Sequence, residues 1–237
     1  QTLALLKRVF LLSDPRETGG VQLSARQALD AGWESMQGEL DKNPEIAVEV
    51  LAVVAESYDR AGDFKQARAL FERNLSVVRK LPQPQPLLLA GAQRGHGRVL
   101  SQLAEYDAAD AQLTAALAGY RRLFGARHEE VATTMIDIAQ LRARRGDQRG
   151  AEAMFRDVLA MRRDLYGERH PLVAEALSLL AMTLRQQSDY AGAKPLLEQT
   201  LTLRRQILPA QHPDLRTSLS NLAMIRSDLG EYDAVES

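Results

Sequence analysis

The chain has 237 residues, with hydrophobic residues at 45%, charged residues at 26%, aromatics at 5% and a formal net charge of -1. The charge balance leaves no basic excess to neutralise phosphates, which argues against nucleic acid as a partner. The absence of cysteine excludes disulfides, thiolate metal sites and cysteine nucleophiles.

From the N-terminus, QTLALLKRVFLL is apolar but short, holds Lys7 and Arg8, and lacks a signal peptide's cleavage pattern. No apolar run approaches the roughly 18 residues a membrane span needs, so direct membrane insertion is not expected. Residues 2–13 read as a worn-down helix and SDPRETGG as a loop. Residues 24–41 read as a helix opened by a capping box of Ser24 and Gln27.

A period then governs the rest. GDFKQARALF at 62, AEYDAADAQL at 104, GDQRGAEAMF at 146, SDYAGAKPLL at 188 and GEYDAVES at 230 each begin 42 residues after the last. Ala67, Ala109, Ala151 and Ala193 keep the step, as do Phe71, Leu113, Phe155 and Leu197, and then Leu75, Leu117, Leu159 and Leu201. Upstream of each turn the smallest position is Ala55, Gly97, Ala139, Ala181 and Ala223. Around it the apolar spacing is helical, with Leu177, Leu180, Ala181 and Leu184 on one stripe. Each unit is therefore a helix A, a tight turn and a helix B, with pairs expected near 44–61/64–80, 84–103/106–124, 127–145/148–166 and 169–187/190–208. Gly62, Gly146 and Gly230 suit left-handed C-caps after helix A, and Gly125 and Gly167 after helix B. Pro44, Pro86, Pro171 and Pro213 suit the first turn of helix A. Residues 1–43 form a degenerate N-terminal capping repeat. Residues 44–237 form four full repeats plus a truncated fifth, and the stop within a repeat reads as a piece of a longer protein.

Turns of Gly-Asp/Glu-Tyr/Phe followed by Ala and then Leu or Phe resemble tetratricopeptide repeats, whose usual unit is about 34 residues. The 42-residue form, with MRRDLYGERHPLVAEAL at 161–177 and LRRQILPAQHPDLRTSLSNLA at 203–223, resembles the kinesin light chain type, although Pro209 stands where the first string has Gly167. The resemblance implies an all-α fold, a right-handed superhelical solenoid of antiparallel helix pairs with a concave channel. Residues 10–51 are similar to the leading segment of repeat regions in bacterial membrane-tethered serine/threonine kinases. That similarity implies a kinase domain and a membrane span upstream and an extracytoplasmic (periplasmic) location, with a cytoplasmic one as the alternative.

His128, His170 and His212 recur at the repeat step, so each belongs to a different inter-repeat turn. Zinc needs its ligands about 2 Å from one ion, and a structural role in the turn is expected instead. His96 reads as a packed core histidine. No G-x-S-x-G, G-x-x-x-x-G-K-S/T or H-E-x-x-H is present. The segment is expected not to be an enzyme, and no cofactor or metal is implied. Arg79, Arg121, Arg163 and Arg205 are expected to complement the helix B dipole and to reach carbonyls or a carboxylate of the next repeat.

Helix A carries the candidate site. With Ala55 and its equivalents facing helix B, the polar neighbours Arg94, Arg98, Gln102, Asp137, Gln140, Arg144, Arg185 and Asn221 are expected to face the channel, mostly exposed. Asn221 stands where the kinesin light chain type carries an Asn resembling a ligand-backbone contact. The expected partner is another protein or peptide, captured as an extended segment or helix, which makes the chain the sensor or scaffold part of a signalling protein. The alternatives are a self-association element forming a homodimer through residues 2–13, and a small-ligand sensor using Arg94 and Arg98 for an anion.

Overall fold

The computed structural model describes residues 25–231, and every element in that range is an α-helix. The readings of residues 2–13 and SDPRETGG, of Ser24, and of the chain beyond Glu231 lie outside the described residues. In chain order the helices are α1 (Ala25–Leu40), α2 (Pro44–Arg60), α3 (Phe64–Lys80), α4 (Pro86–Gln102), α5 (Tyr106–Phe124), α6 (Glu129–Arg144), α7 (Gln148–Tyr166), α8 (Pro171–Gln186), α9 (Tyr190–Ile207) and α10 (Pro213–Asp228). The expected pairs start and stop within two residues of these bounds. The described residues form two compact units, divided between Leu123 and Phe124.

The turn inside each repeat is built by capping. Asp63, Asp147 and Asp189 accept hydrogen bonds from Gln66, Gly150 and Gly192 N–H at 3.1, 2.9 and 2.9 Å, which satisfies a donor that the first helical turn leaves orphaned. The residue before each turn takes a left-handed conformation. Gly62, Gly146 and Gly230 do so at φ 78°, 87° and 76°, while Ala104 and Ser188 do so at 61° and 63°.

In the first unit, α2 and α3 enclose Val50, Leu51, Val54, Ala55, Ala67, Leu70 and Phe71, all buried. Two glycines let α4 approach both neighbours. A Cβ on Gly95 would sit inside the Phe71 ring, and one on Gly97 would meet Leu113 Cγ at 2.7 Å. In the second unit, Ala139 and Ala181 are fully buried, as their small size at the A–B contact requires.

The His turns are caps. Nδ1 of His128, His170 and His212 accepts the backbone N–H two residues on, at 3.1, 3.2 and 3.2 Å. The His128 ring stacks on Phe124 with centroids 4.0 Å apart, and the His170 ring on Tyr166 at 4.3 Å. Each histidine serves its own helix, and no group of His, Cys, Asp or Glu side chains that could hold a metal occurs among the described residues.

The recurring arginines need a correction. Arg79, Arg121 and Arg205 are exposed, and Arg163 reaches only Glu168 in the following turn at 3.0 Å. The reach into the next repeat is made by the preceding residue, because one step along a helix turns the side chain by about 100°. Arg162, 2% exposed, donates to Leu172 O at 3.0 Å, Glu175 Oε2 at 2.9 Å and Glu129 Oε1 at 2.7 Å. It ties α7 to α6 of its own repeat and to α8 of the next. Arg204, also buried, donates to Asp214 O at 3.0 Å and Ser218 Oγ at 2.8 Å on α10.

Candidate functional site

In the first unit the candidates lie on α4. Arg94 and Arg98 are half-buried and Gln102 is exposed. Arg98 Nη2 donates to Asp59 Oδ2 at 2.6 Å. Asp59 lies in the last turn of α2, so this pair joins one helix A to the next.

In the second unit Gln140 and Arg144 are exposed and Asn221 is half-buried. Arg185 Nε donates to Asp228 Oδ2 at 2.7 Å, again linking two A helices, and this hydrogen bond holds the Arg185 guanidinium above its ordinary pKa. Asp137 differs from the expectation of exposure and is buried, at 9%. The reason is that α6 is enclosed almost all round, since from Val131 to Leu141 only Thr133 and Gln140 escape burial. The same face of α8 and α10 offers Leu179 and Met182, half-buried, and Met224, 37% exposed.

The structure therefore divides the candidate set. Gln140 and Asn221 stand on helix A surfaces outside the apolar core. Arg98 and Arg185 are committed to helix–helix ion pairs. Their partners Asp59 and Asp228 escaped sequence reasoning because the period does not carry one pair onto the other: Asp59 and Arg185 share a repeat position with opposite charge, and Arg98 and Asp228 do not share one. His96 is buried as expected, with Nε2 at 3.7 Å from Glu72 Oε1. Burial pushes its pKa below the ordinary imidazole value, the carboxylates of Glu72 and Glu105 opposing that shift and the guanidinium groups of Arg68 and Arg79 adding to it.

The profile of the tetratricopeptide repeat family matches residues 88–164, 159–206 and 172–237, together well over half of the chain. The chain belongs to this family. Tetratricopeptide repeats are a non-enzymatic protein-interaction fold. No curated protein matches the chain. Among solved structures, BtubC (BKLC) from P. vanneervenii is similar at 20% identity and TM-score 0.71, over 98% of this chain and 87% of that one. A Podosopora anserina protein of kinesin light chain nearly identical TPR-like repeats is similar at 18% identity and TM-score 0.66, over 80% and 90%. NprR, solved in complex with its cognate peptide NprX, is similar at 14% identity and TM-score 0.65, over 99% and 64%. At these identities the likeness is one of fold, and tetratricopeptide repeats of kinesin light chain-like form are what it supports. No described helix is long and apolar enough to cross a membrane.

Proposed function

We propose that this tetratricopeptide repeat protein is an interaction module that takes a segment of a partner protein along the A helices, with Gln140, Met182, Asn221 and Met224 of the second unit making the contacts. The observation that carries this reading is the combination on one face of polar groups and soft apolar side chains outside the packed core. Amides can satisfy a peptide backbone and methionines can adapt to its side chains. The peptide complex of NprR, a protein of similar fold, supports it. In the second unit Arg144, Arg185 and Asp137 complete the proposed surface or brace it from behind, and in the first unit Arg94, Arg98 and Gln102 are the proposed contacts on α4.

The test is titration of a partner obtained by pull-down against wild type, Asn221→Ala and Met182→Asp, with Arg79→Glu on exposed helix B as the control. The A-helix variants should bind at least about tenfold more weakly, while the control should bind as wild type does. Equal affinity throughout would move the site off the A helices.

The finer reading makes the chain the sensor or scaffold part of a bacterial membrane-tethered signalling kinase, outside the cytoplasm. Its support is the resemblance of residues 10–51. Fractionation of the source cells that finds the protein in the cytosol would remove it.

A further inference from the structure

His96 sits on α4 at a position where other repeats hold Val54, Ile138, Leu180 and Leu222, all buried, so packing does not call for an imidazole there. It is 8% exposed, and neither ring nitrogen has a hydrogen-bond partner among the described residues. The glycines on either side allow this depth. The Phe71 ring of α3 lies against Gly95, and Ala109 and Leu113 of α5 lie against Gly97. His96 Nε2 is 3.7 Å from Glu72 Oε1, and that same oxygen accepts from Arg68 Nε at 2.8 Å. Arg68 Nη1 in turn donates to Glu105 Oε1 at 2.7 Å, in the turn into α5. One guanidinium thus fastens α3 to the following repeat beside the buried imidazole. The charged groups acting on the ring are Glu72, Arg68 and Arg79 of α3 and Glu105 of the turn. From α2, Asp59 reaches α4 but is taken by Arg98.

We propose that His96 is an acid-operated latch, in which a proton on the imidazole breaks the hold of Arg68 on Glu72 and lets α4 lift from α3. The closed seam has no place for a second cation. An imidazolium carries two N–H donors, and the carboxylate oxygen 3.7 Å away is already engaged by Arg68. Either Arg68 gives up Glu72 or the ring moves to water, and both loosen α3 against α4. Burying an unpaired charge costs far more than burying a neutral ring. Burial accordingly pushes the His96 pKa below the ordinary imidazole value, with Glu72 and Glu105 opposing the shift and Arg68 and Arg79 adding to it. In the open seam the ring returns to the ordinary value of about 6.5, so opening is favoured as pH falls below that value and not above it. Gly91, Gly95 and Gly97, within seven residues, weaken α4 as a helix and suit it to such movement. Because α4 also carries Arg94, Arg98 and Gln102, the same proton would loosen a partner held there, and that consequence alone rests on the function proposed above.

The experiment follows amide hydrogen exchange of the 237-residue chain alone at about pH 7.5 and about pH 5, with rates corrected for the intrinsic effect of pH. Protection in α3 and α4 should fall, by up to about tenfold for each pH unit below about 6.5, while α8 and α9 keep theirs. His96→Leu and His96→Gln, neither of which takes up a proton, should hold α3 and α4 protected at both pH values. In proton NMR the His96 ring should titrate below the ordinary imidazole value. Equal loss of protection in wild type and both variants would overturn the proposal. So would an equal loss along the whole chain, or a His96 ring that titrates with no change in protection. No partner enters this readout, so a failure of the latch and a failure of the proposed function are told apart.

Discussion

Arg162 shows how much one side chain can hold. Its guanidinium meets Glu129, Glu175 and the Leu172 carbonyl, three groups on two helices outside its own. Removing a buried charge from such a set costs about 3–5 kcal/mol, and the half-exposed Glu175 places Arg162→Ala at the lower end, about 3 kcal/mol. Lysine cannot reproduce the fork, so Arg162→Lys should recover less than half of the loss in urea denaturation. A variant as stable as wild type would show the network to be idle. His96 makes the opposite case. Its repeat equivalents are Val54, Ile138, Leu180 and Leu222, all apolar and buried. Neither of its nitrogens has a hydrogen-bond partner among the described residues. Because burial lowers its pKa, the unfolded chain takes up a proton at a higher pH than the folded chain does. The stabilisation is therefore fully present above the ordinary imidazole value of about 6.5 and is lost as pH falls below it. His96→Leu should raise stability and flatten its pH dependence in that acidic window, read by thermal melts. An unchanged slope would assign the acid sensitivity to other groups.

At the scale of elements, the left-handed residue before each helix B is the feature to test. An L-residue with a Cβ pays roughly 1–2 kcal/mol there, and glycine pays little. Ala104 and Ser188 carry that cost, and Gly146 does not. Ala104→Gly should thus stabilise by up to about 1 kcal/mol and Gly146→Ala should destabilise by a similar amount. Opposite signs in calorimetry would mean that the turn relaxes when substituted. Packing gives a second test, since Ala181 is fully buried. Ala181→Leu should cost about 1–3 kcal/mol by overpacking, and an unchanged melting temperature would place another face of α8 against α9. The helices themselves were legible from residue spacing because caps, small residues and large apolar residues all repeat at one step. The bracing was less so. Arg162 and Arg204 do stand 42 residues apart, but their neighbours Arg163 and Arg205 share that spacing, and only the backbone rotation decides which of the two turns inward. The pairs Asp59–Arg98 and Arg185–Asp228 share one repeat position, that of Asp59 and Arg185, but with the charge reversed and the partners out of step, and the enclosure of Asp137 depends on packing around α6 rather than on its own sequence.

Across the whole molecule, repeat arrays join mainly sequence neighbours, so damage should remain local. We expect Gly146→Ala to raise hydrogen exchange in α6, α7 and α8 and to leave α2, α3 and α4 protected. A uniform rise along the chain would show that the two units open together. The candidate site was legible only as a surface. The small residues that face helix B identify which positions of helix A are left over, but a side chain left over from the core can still be taken by a neighbouring helix, as Arg98 is by Asp59.

One more pair of contacts carries a consequence for how such a chain can change. Arg68 meets Glu105 at 2.7 Å, and Lys194 meets Glu231 at the same distance, the two pairs standing at identical places three repeats apart. In the second unit the equivalent place holds Glu152 with Asp189, and Glu152 Oε2 accepts a hydrogen bond from Gln187 Nε2 at 2.7 Å instead. The seams between repeats are therefore of two kinds, coded by charge like plugs of differing polarity. A recombination that exchanged or deleted whole repeats would match at some seams and clash at others. The order of the repeats is in this way written into the joints between them, and shuffling is open to the lineage only along certain cuts.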